Sequence, residues 1–455
     1  MNLEADIVIV GGGMAGLVAG TIASEGGLSS IVLRKGESAT SMSSGAIDVV
    51  GYLPDGTIPF ESPKEGLVAL ASLYPFHPYS ILGFGEGKPA FAEKVITGVE
   101  AAVGWLKDKL KDSVAKIVGG LDSNILSLSI LGTTKPTCLI QETMVSDGFA
   151  NEFDSTLLFL GVKGYPDFFA SAAAKSFLEQ SEIEQEGPRK VAHSTVRISP
   201  FGNTCNISAS EIARHLDHDD ALGELLPQIK KTVDTLGATH VALPPILGIK
   251  NARGNRQRIE EEVGAIVFEL LAFPPSIPGL RLQRALEETY RKSGGQLLLG
   301  HEALSAYKEK NRYVSVQAGA PRRSIRISTK AVVSATGKFI GGGLRGAEDG
   351  LTETVFNLMT VTGNLIQADN IRPYDYTSPF AVDTGGHSIF SCGLTVDPQF
   401  RPVMPDGQPD ADNLFAAGST LAGYDYLVEK SGLGVALVSG FYAGKNAADA
   451  AKEVD

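Results

Sequence analysis

The chain has 455 residues, 43% of them hydrophobic and 20% charged, with a net charge of −12. That length holds two or three domains or subdomains with a real core, and the acidity argues against a nucleic acid partner, whose phosphates it would repel. There is no apolar run of the ~18 residues a membrane span needs, no cationic leader at Met1–Asp6, and only three scattered cysteines (Cys138, Cys205, Cys392), so the expectation is a cytoplasmic protein with no metal site.

The first element is a β-branched run, Asp6–Val10, that ends in Gly11-Gly12-Gly13-Met14-Ala15-Gly16 and passes into an apolar, alanine-containing segment. Strand, tight turn and helix follow from that pattern. Gly11 permits the turn, Gly13 lets a pyrophosphate approach the backbone, and Gly16 lets the helix pack on the strand. The helix N-terminus offers N–H groups and a partial positive charge to a phosphate. Ser30–Arg34 reads as the second parallel strand. Dinucleotide sites place an Asp or Glu at its end to bind the adenosine ribose. Here Arg34 and Lys35 stand there, which leaves a mononucleotide such as FMN open. Ser38–Gly45 is a small-residue loop rich in hydroxyls, and its Ser43, Ser44 and Gly45 suit contact with a phosphate or a flat ring.

Helices are predicted over Lys64–Tyr74 and Lys88–Lys111, and a hairpin over Leu121–Ile140 around Gly132-Thr133-Thr134. A buried strand at Thr156–Gly161 opens a second alternating stretch. Helices follow at Phe168–Leu178, Ser210–Leu216 and Leu225–Leu236, a strand at His240–Leu243, and helices at Asn255–Val263 and Leu280–Lys292. That alternation predicts an inserted α/β domain. Polar alternation from His301 to Ser328 predicts a meander. Two strands ending in small-residue turns then return, Lys330–Gly337 with Thr336 and Gly337, and Asn413–Ser419 with Gly418 and Ser419, before the small-residue helix Gly432–Asp449. The expected fold class is α/β: a discontinuous Rossmann-like domain with an inserted α/β domain. The expected division is 1–150, 151–275 and 276–455.

These pieces together resemble the two-dinucleotide-binding-domain flavoproteins, the class of the succinate dehydrogenase and fumarate reductase flavoprotein subunits. The shared parts are the N-terminal glycine turn, Ala335-Thr336-Gly337 and Asn413–Gly418. Where that class usually continues with an acidic residue, this chain has Ser419. A closer resemblance is to the B-subunit family of anaerobic glycerol-3-phosphate dehydrogenases. It rests on Arg34, Ser43–Asp48, Leu53–Gly56, His77–Gly83, Pro274–Gln283, Gly341–Leu344, Gly393–Asp397 with Arg401-Pro402, and Asn413–Asp425, all in the family's order. Residues 100–240 match only loosely.

The resemblance implies a flavoprotein, with FMN the usual assignment and FAD the alternative. It implies an FAD-carrying A subunit and an iron–sulfur C subunit as partners. The implied reaction is oxidation of sn-glycerol 3-phosphate to dihydroxyacetone phosphate, with electrons passing to membrane quinone at the cytoplasmic face. Alternatives are a stand-alone flavin dehydrogenase and a flavin-poor scaffold subunit. Oxidising a secondary alcohol needs a base, often His, and cations for the phosphate. His77 and His387 are candidates for the first role, with a structural hydrogen bond as the alternative for each. Arg281 and Arg401 are candidates for the second, with a salt bridge as the alternative.

Overall fold

The computed structural model describes residues 2–53, 59–87, 90–146, 155–184, 190–320, 323–347, 350–360, 376–381, 383 and 386–454. Pro54, Asp55 and Gly56 of the Leu53–Gly56 motif lie outside the described residues.

A five-stranded parallel sheet organises the molecule, in the order Gln296–Leu299, Ser30–Arg34, Ile7–Val10, Ala331–Ser334, Leu414–Ala416. Its three inner members and Leu414–Ala416 are almost wholly buried, as strands of a sheet covered on both faces are. Because its strands come from both ends of the chain and from residues 296–334, the Rossmann-like unit is discontinuous. The fold class expected from sequence is the one observed.

The helix after the first turn, Met14–Glu25, packs along the C-terminal helix Gly432–Lys452. Small residues make that approach possible: a Cβ on Gly440 would stand 2.5 Å from the Ala15 carbonyl oxygen, and one on Gly444 would stand 2.7 Å from Ala19 Cα.

The inserted α/β stretch forms a second parallel sheet, ordered Ile266–Glu269, His240–Leu243, Thr156–Val162, Lys190–Val196. Helices Ala170–Glu184, Asp219–Leu236 and Ala252–Val263 pack on it. The meander is present as Glu302–Glu309, Arg312–Ala320 and Arg323–Ser328, and Asn2–Glu4 adds a parallel edge strand to it. Several strands carried no strand prediction, among them Lys190–Val196, Ile266–Glu269 and Gln296–Leu299. Lys190–Val196 and Gln296–Leu299 are sheet-edge strands of mixed exposure, so they lack the apolar run that marks a buried strand. The Ser38–Gly45 loop also holds one helical turn, Ala39–Met42, because the Ser38 hydroxyl accepts from the Ser41 N–H. Among the described residues, no helix is long and apolar enough to cross a membrane.

The strand Gly350–Glu353 ends in a buried acid. One oxygen of Glu353 accepts from the Val355 and Phe356 N–H groups at 3.1 and 2.6 Å, while the other is buried with no hydrogen-bond partner among the described residues. Burial pushes this carboxyl up to about 7 from its ordinary 4.5. The folded state therefore binds the extra proton, and that contribution is complete below pH 4.5 and lost as pH rises through about 7. Glu353→Gln keeps the acceptor for the two N–H groups and removes the charge. It should raise stability at pH 8 by ~1–2 kcal/mol and flatten the decline between pH 5 and 8, read from urea midpoints.

Candidate functional site

The strand order reverses between Ile7–Val10 and Ala331–Ser334, and in open parallel sheets a crevice for ligands opens at the carboxyl ends of such strands. Three turns meet there. Gly11, at φ +119°, passes so close to the next strand that a Cβ would lie 2.0 Å from the Ala335 carbonyl oxygen. Gly16 abuts the turn itself, with its Cβ position 1.8 Å from the Gly11 carbonyl oxygen. Gly13 is different. Its backbone is extended, it caps the helix Met14–Glu25 without a side chain, and its nearest neighbour would be Thr40 Oγ1 at 3.5 Å. The first two glycines are required by the protein's own backbone, whereas a Cβ at Gly13 would meet only Thr40 and Ser38 at ordinary contact distance.

The other turns close around this one. Gly418 faces Ala15, its N–H donates to Ser439 Oγ at 2.9 Å, and Ser419 Oγ is 3.7 Å from the Cβ position of Gly337. The Ser38–Gly45 loop is tied to the helix N-terminus by the Met14 N–H donating to Thr40 Oγ1 at 2.9 Å. Ser43 donates to the Thr40 carbonyl and accepts from the Gly45 N–H. Gly11, Gly13, Ser43, Ser44, Thr336, Gly337 and Ser419 are all part-exposed on this edge, while Gly12, Met14, Ala15, Gly16, Gly45 and Gly418 are buried beneath it.

Arg34 does not reach into open solvent. It lies across Gly12 and pairs with Glu287 of the helix Ile277–Lys292. Gln283 of the same helix donates to the Gly12 carbonyl at 2.9 Å and to Glu287 at 2.8 Å, and accepts from Ser38 at 2.7 Å. Three long side chains therefore roof the end of the second strand.

The weaker candidates fall into separate networks. Arg281 is fully buried, with its guanidinium held by Glu269, the Gly248 carbonyl and Thr143, and is closed to a substrate phosphate. Arg401 pairs with Asp397 at 2.7 Å, which also accepts the Arg401 N–H and so staples a local turn. His77 is fully buried. Its Nδ1 accepts from the Tyr79 N–H at 3.1 Å, which leaves Nε2 to donate to Glu429 at 3.1 Å. His387 is part-exposed and its Nδ1 accepts from the Ser378 N–H at 3.0 Å; Gly385, which opens the stretch Gly385-Gly386-His387-Ser388, is outside the described residues.

Sequence reasoning passed over Gln283, Glu287, Lys338, Tyr424 and Glu429. Lys338 directly follows Ala335-Thr336-Gly337, and a cation at the end of a small-residue turn was the available signal. Burial holds its ammonium down to about 8, against the opposing pull of Cys392, Asp425 and Glu429. Its ammonium lies over the Tyr424 ring, and among the described residues the hydroxyls of Tyr79, Tyr424 and Thr420 are buried with no hydrogen-bond partner. The part-exposed edge of Gly13, Ser43, Ser44, Thr336, Gly337 and Ser419 carries only glycines and short hydroxyl side chains, which fits close approach of a phosphate or a flat ring to the backbone.

The matching family model, described as an FAD binding domain, covers residues 6–435. The chain belongs to that FAD-binding family. It is 29% identical over 439 residues to the B subunit of the anaerobic glycerol-3-phosphate dehydrogenase of Vibrio vulnificus, covering 96% of this chain and 94% of that one. Its identity to the corresponding B subunit of Aliivibrio fischeri is 28% over 461 residues, with 97% and 94% covered. Its identity to the probable B subunit of Halobacterium salinarum is also 28%, over 463 residues, with 99% of both chains covered. These matches support a flavin-dependent oxidoreductase. For the cofactor, the family supports a flavin of the FAD type and lends no support to the FMN expected from Arg34.

Proposed function

We propose that this chain is the flavin-carrying redox subunit of a complex that oxidises sn-glycerol 3-phosphate to dihydroxyacetone phosphate and delivers the electrons to membrane quinone. The observation that carries the reading is the convergence of three strand-end turns on one open edge, in a chain alike over almost its whole length to the B subunits of anaerobic glycerol-3-phosphate dehydrogenases.

When bound, a flavin supplies a reversible two-electron acceptor. Gly13 would admit its phosphate beside the first turn of Met14–Glu25, where the Met14 N–H already donates to Thr40 and the positive end of the helix would hold the charge. Ser43, Ser44, Gly45, Thr336 and Gly337 would hold the ring, with Gly418 and Ser419 beside the sugar chain. FMN is the form we favour within the FAD-binding family. An adenosine needs space and a free acid at the end of the second strand, where Arg34 pairs with Glu287 and Gln283 bridges to Gly12.

The partners are an FAD-carrying A subunit and an iron–sulfur C subunit, and through them the chain works at the cytoplasmic face of the membrane. Co-expressed with both, it should turn over glycerol 3-phosphate with a quinone analogue, while the isolated chain does so poorly. Full turnover by the isolated chain would replace this reading with a stand-alone dehydrogenase.

A further inference from the structure

Arg34 ends the strand Ser30–Arg34, the position that governs the adenosine side of a dinucleotide site. Its stem is laid along the glycine turn: a Cβ on Gly12 would meet Arg34 Cβ, Cγ and Cδ at 2.8, 2.9 and 2.8 Å. Its guanidinium then pairs with Glu287, and the two side chains are only 13% and 11% exposed.

The other bonds to Glu287 come from its own helix, Ile277–Lys292: Oε1 also accepts from Gln283 at 2.8 Å and Oε2 from Arg291 at 3.4 Å. Among the described residues, Arg34 is therefore what ties this carboxylate to the second strand. A dinucleotide site keeps an acid at that strand end to accept hydrogen bonds from the adenosine ribose. This chain has such an acid, delivered through space by a helix rather than by the strand itself. The strand residue covers it, and a guanidinium bonded to a carboxylate takes up lone pairs that ribose hydroxyls would use. Gln283 holds the cover down, since it donates to the Gly12 carbonyl at 2.9 Å and accepts from Ser38 at 2.7 Å.

We infer that Arg34 is the specificity-determining residue for the cofactor: it masks Glu287, a carboxylate standing where a dinucleotide site keeps its ribose acid, and so admits FMN while refusing the adenylated form. This rests on the flavin reading above and deepens it by naming the atoms that select. The mask works in two ways. The Arg34 stem fills the ground between Gly12 and the helix, and its charge engages the acceptor an adenosine would need. A short, uncharged residue at position 34 removes both obstacles at once and leaves Glu287 free to act as the ribose acid.

The test equilibrates the purified full chain with an equimolar mixture of FMN and FAD, removes free flavin, and measures the bound ratio by chromatography. Wild type should carry FMN. Arg34→Ser should raise the bound FAD:FMN ratio by at least about tenfold. Arg34→Lys should stay near wild type, because an ammonium still pairs with Glu287. Adding Glu287→Gln to Arg34→Ser should remove most of the gain, since it deletes the acid and leaves the same space. An Arg34→Ser chain with a full flavin load and the wild-type ratio overturns the inference, and so does a double variant that keeps the whole gain. If Arg34→Ser does not fold, Glu287→Ala decides: it opens space without freeing an acid, so its ratio should match wild type. A rise of about tenfold there means that bulk alone excludes the adenosine, and overturns the inference. A wild-type chain that takes up neither flavin, or prefers FAD, contradicts the underlying reading instead, so the two failures are distinct.

Discussion

Replacing Arg281 with alanine should destabilise the fold by about 3–5 kcal/mol, the usual result of leaving a buried charge without its partner. Arg281 lies on the helix Ile277–Lys292, whose Gln283 and Glu287 roof the glycine turn, and Glu269 ends a strand of the second sheet. Neither side chain has any exposed surface. The Glu269 carboxylate also accepts from Thr143 at 2.7 Å and from the Leu247 N–H at 2.8 Å, so the single substitution strands a charge inside a formed network. The double variant Arg281→Met, Glu269→Leu should recover part of the loss, because removing both charges removes both desolvation penalties while the Leu247 N–H and the Gly248 carbonyl lose their partners. Urea midpoints at constant m-value measure this. A single variant within about 1 kcal/mol of wild type would mean that water reaches the pair.

The second large effect concerns Gly13. A valine there should abolish flavin binding while leaving the fold intact, because Gly13 is part-exposed and a Cβ there meets the protein only at ordinary contact distance. The neighbouring glycines supply the control. Gly16→Val drives a Cβ to within 1.8 Å of a carbonyl oxygen and should cost stability first, with flavin lost as a consequence. The informative pattern is therefore a Gly13→Val chain with wild-type thermal stability when both are flavin-free, and at least about tenfold weaker flavin binding. If Gly13→Val keeps its full flavin load, the phosphate lies elsewhere.

Much of this architecture was legible in the chain because the signals are local. The strand Ile7–Val10, its glycine turn and the helix Met14–Glu25 are contiguous, and the two returning strands carry the same pattern of apolar run and small-residue turn. The meander and the hairpin Ile125–Leu128 with Thr134–Thr137 were equally plain. Non-local contacts were not legible. Arg34 reads from sequence as a cation where an acid belongs, but the acid, Glu287, arrives from 253 residues downstream. Arg281 offered two readings, and only the packing of one sheet's strand end against another unit's helix placed it with Glu269. Lys338 and Tyr424 lacked any spacing that would group them, because a turn after one strand and the approach to a short helix 86 residues later bring them together in space.

The central claim is that one flavin mononucleotide sits on the Gly11–Gly16 turn. The most direct measurement is native mass spectrometry of the purified chain, followed by chromatography of the cofactor released on denaturation. The account predicts a single species carrying one FMN, and loss of that mass increment in Gly13→Val. A chain that binds no flavin, or one that releases FAD alone, would contradict it: the first outcome removes the site, and the second shows that the roof of Arg34, Gln283 and Glu287 opens to admit an adenosine.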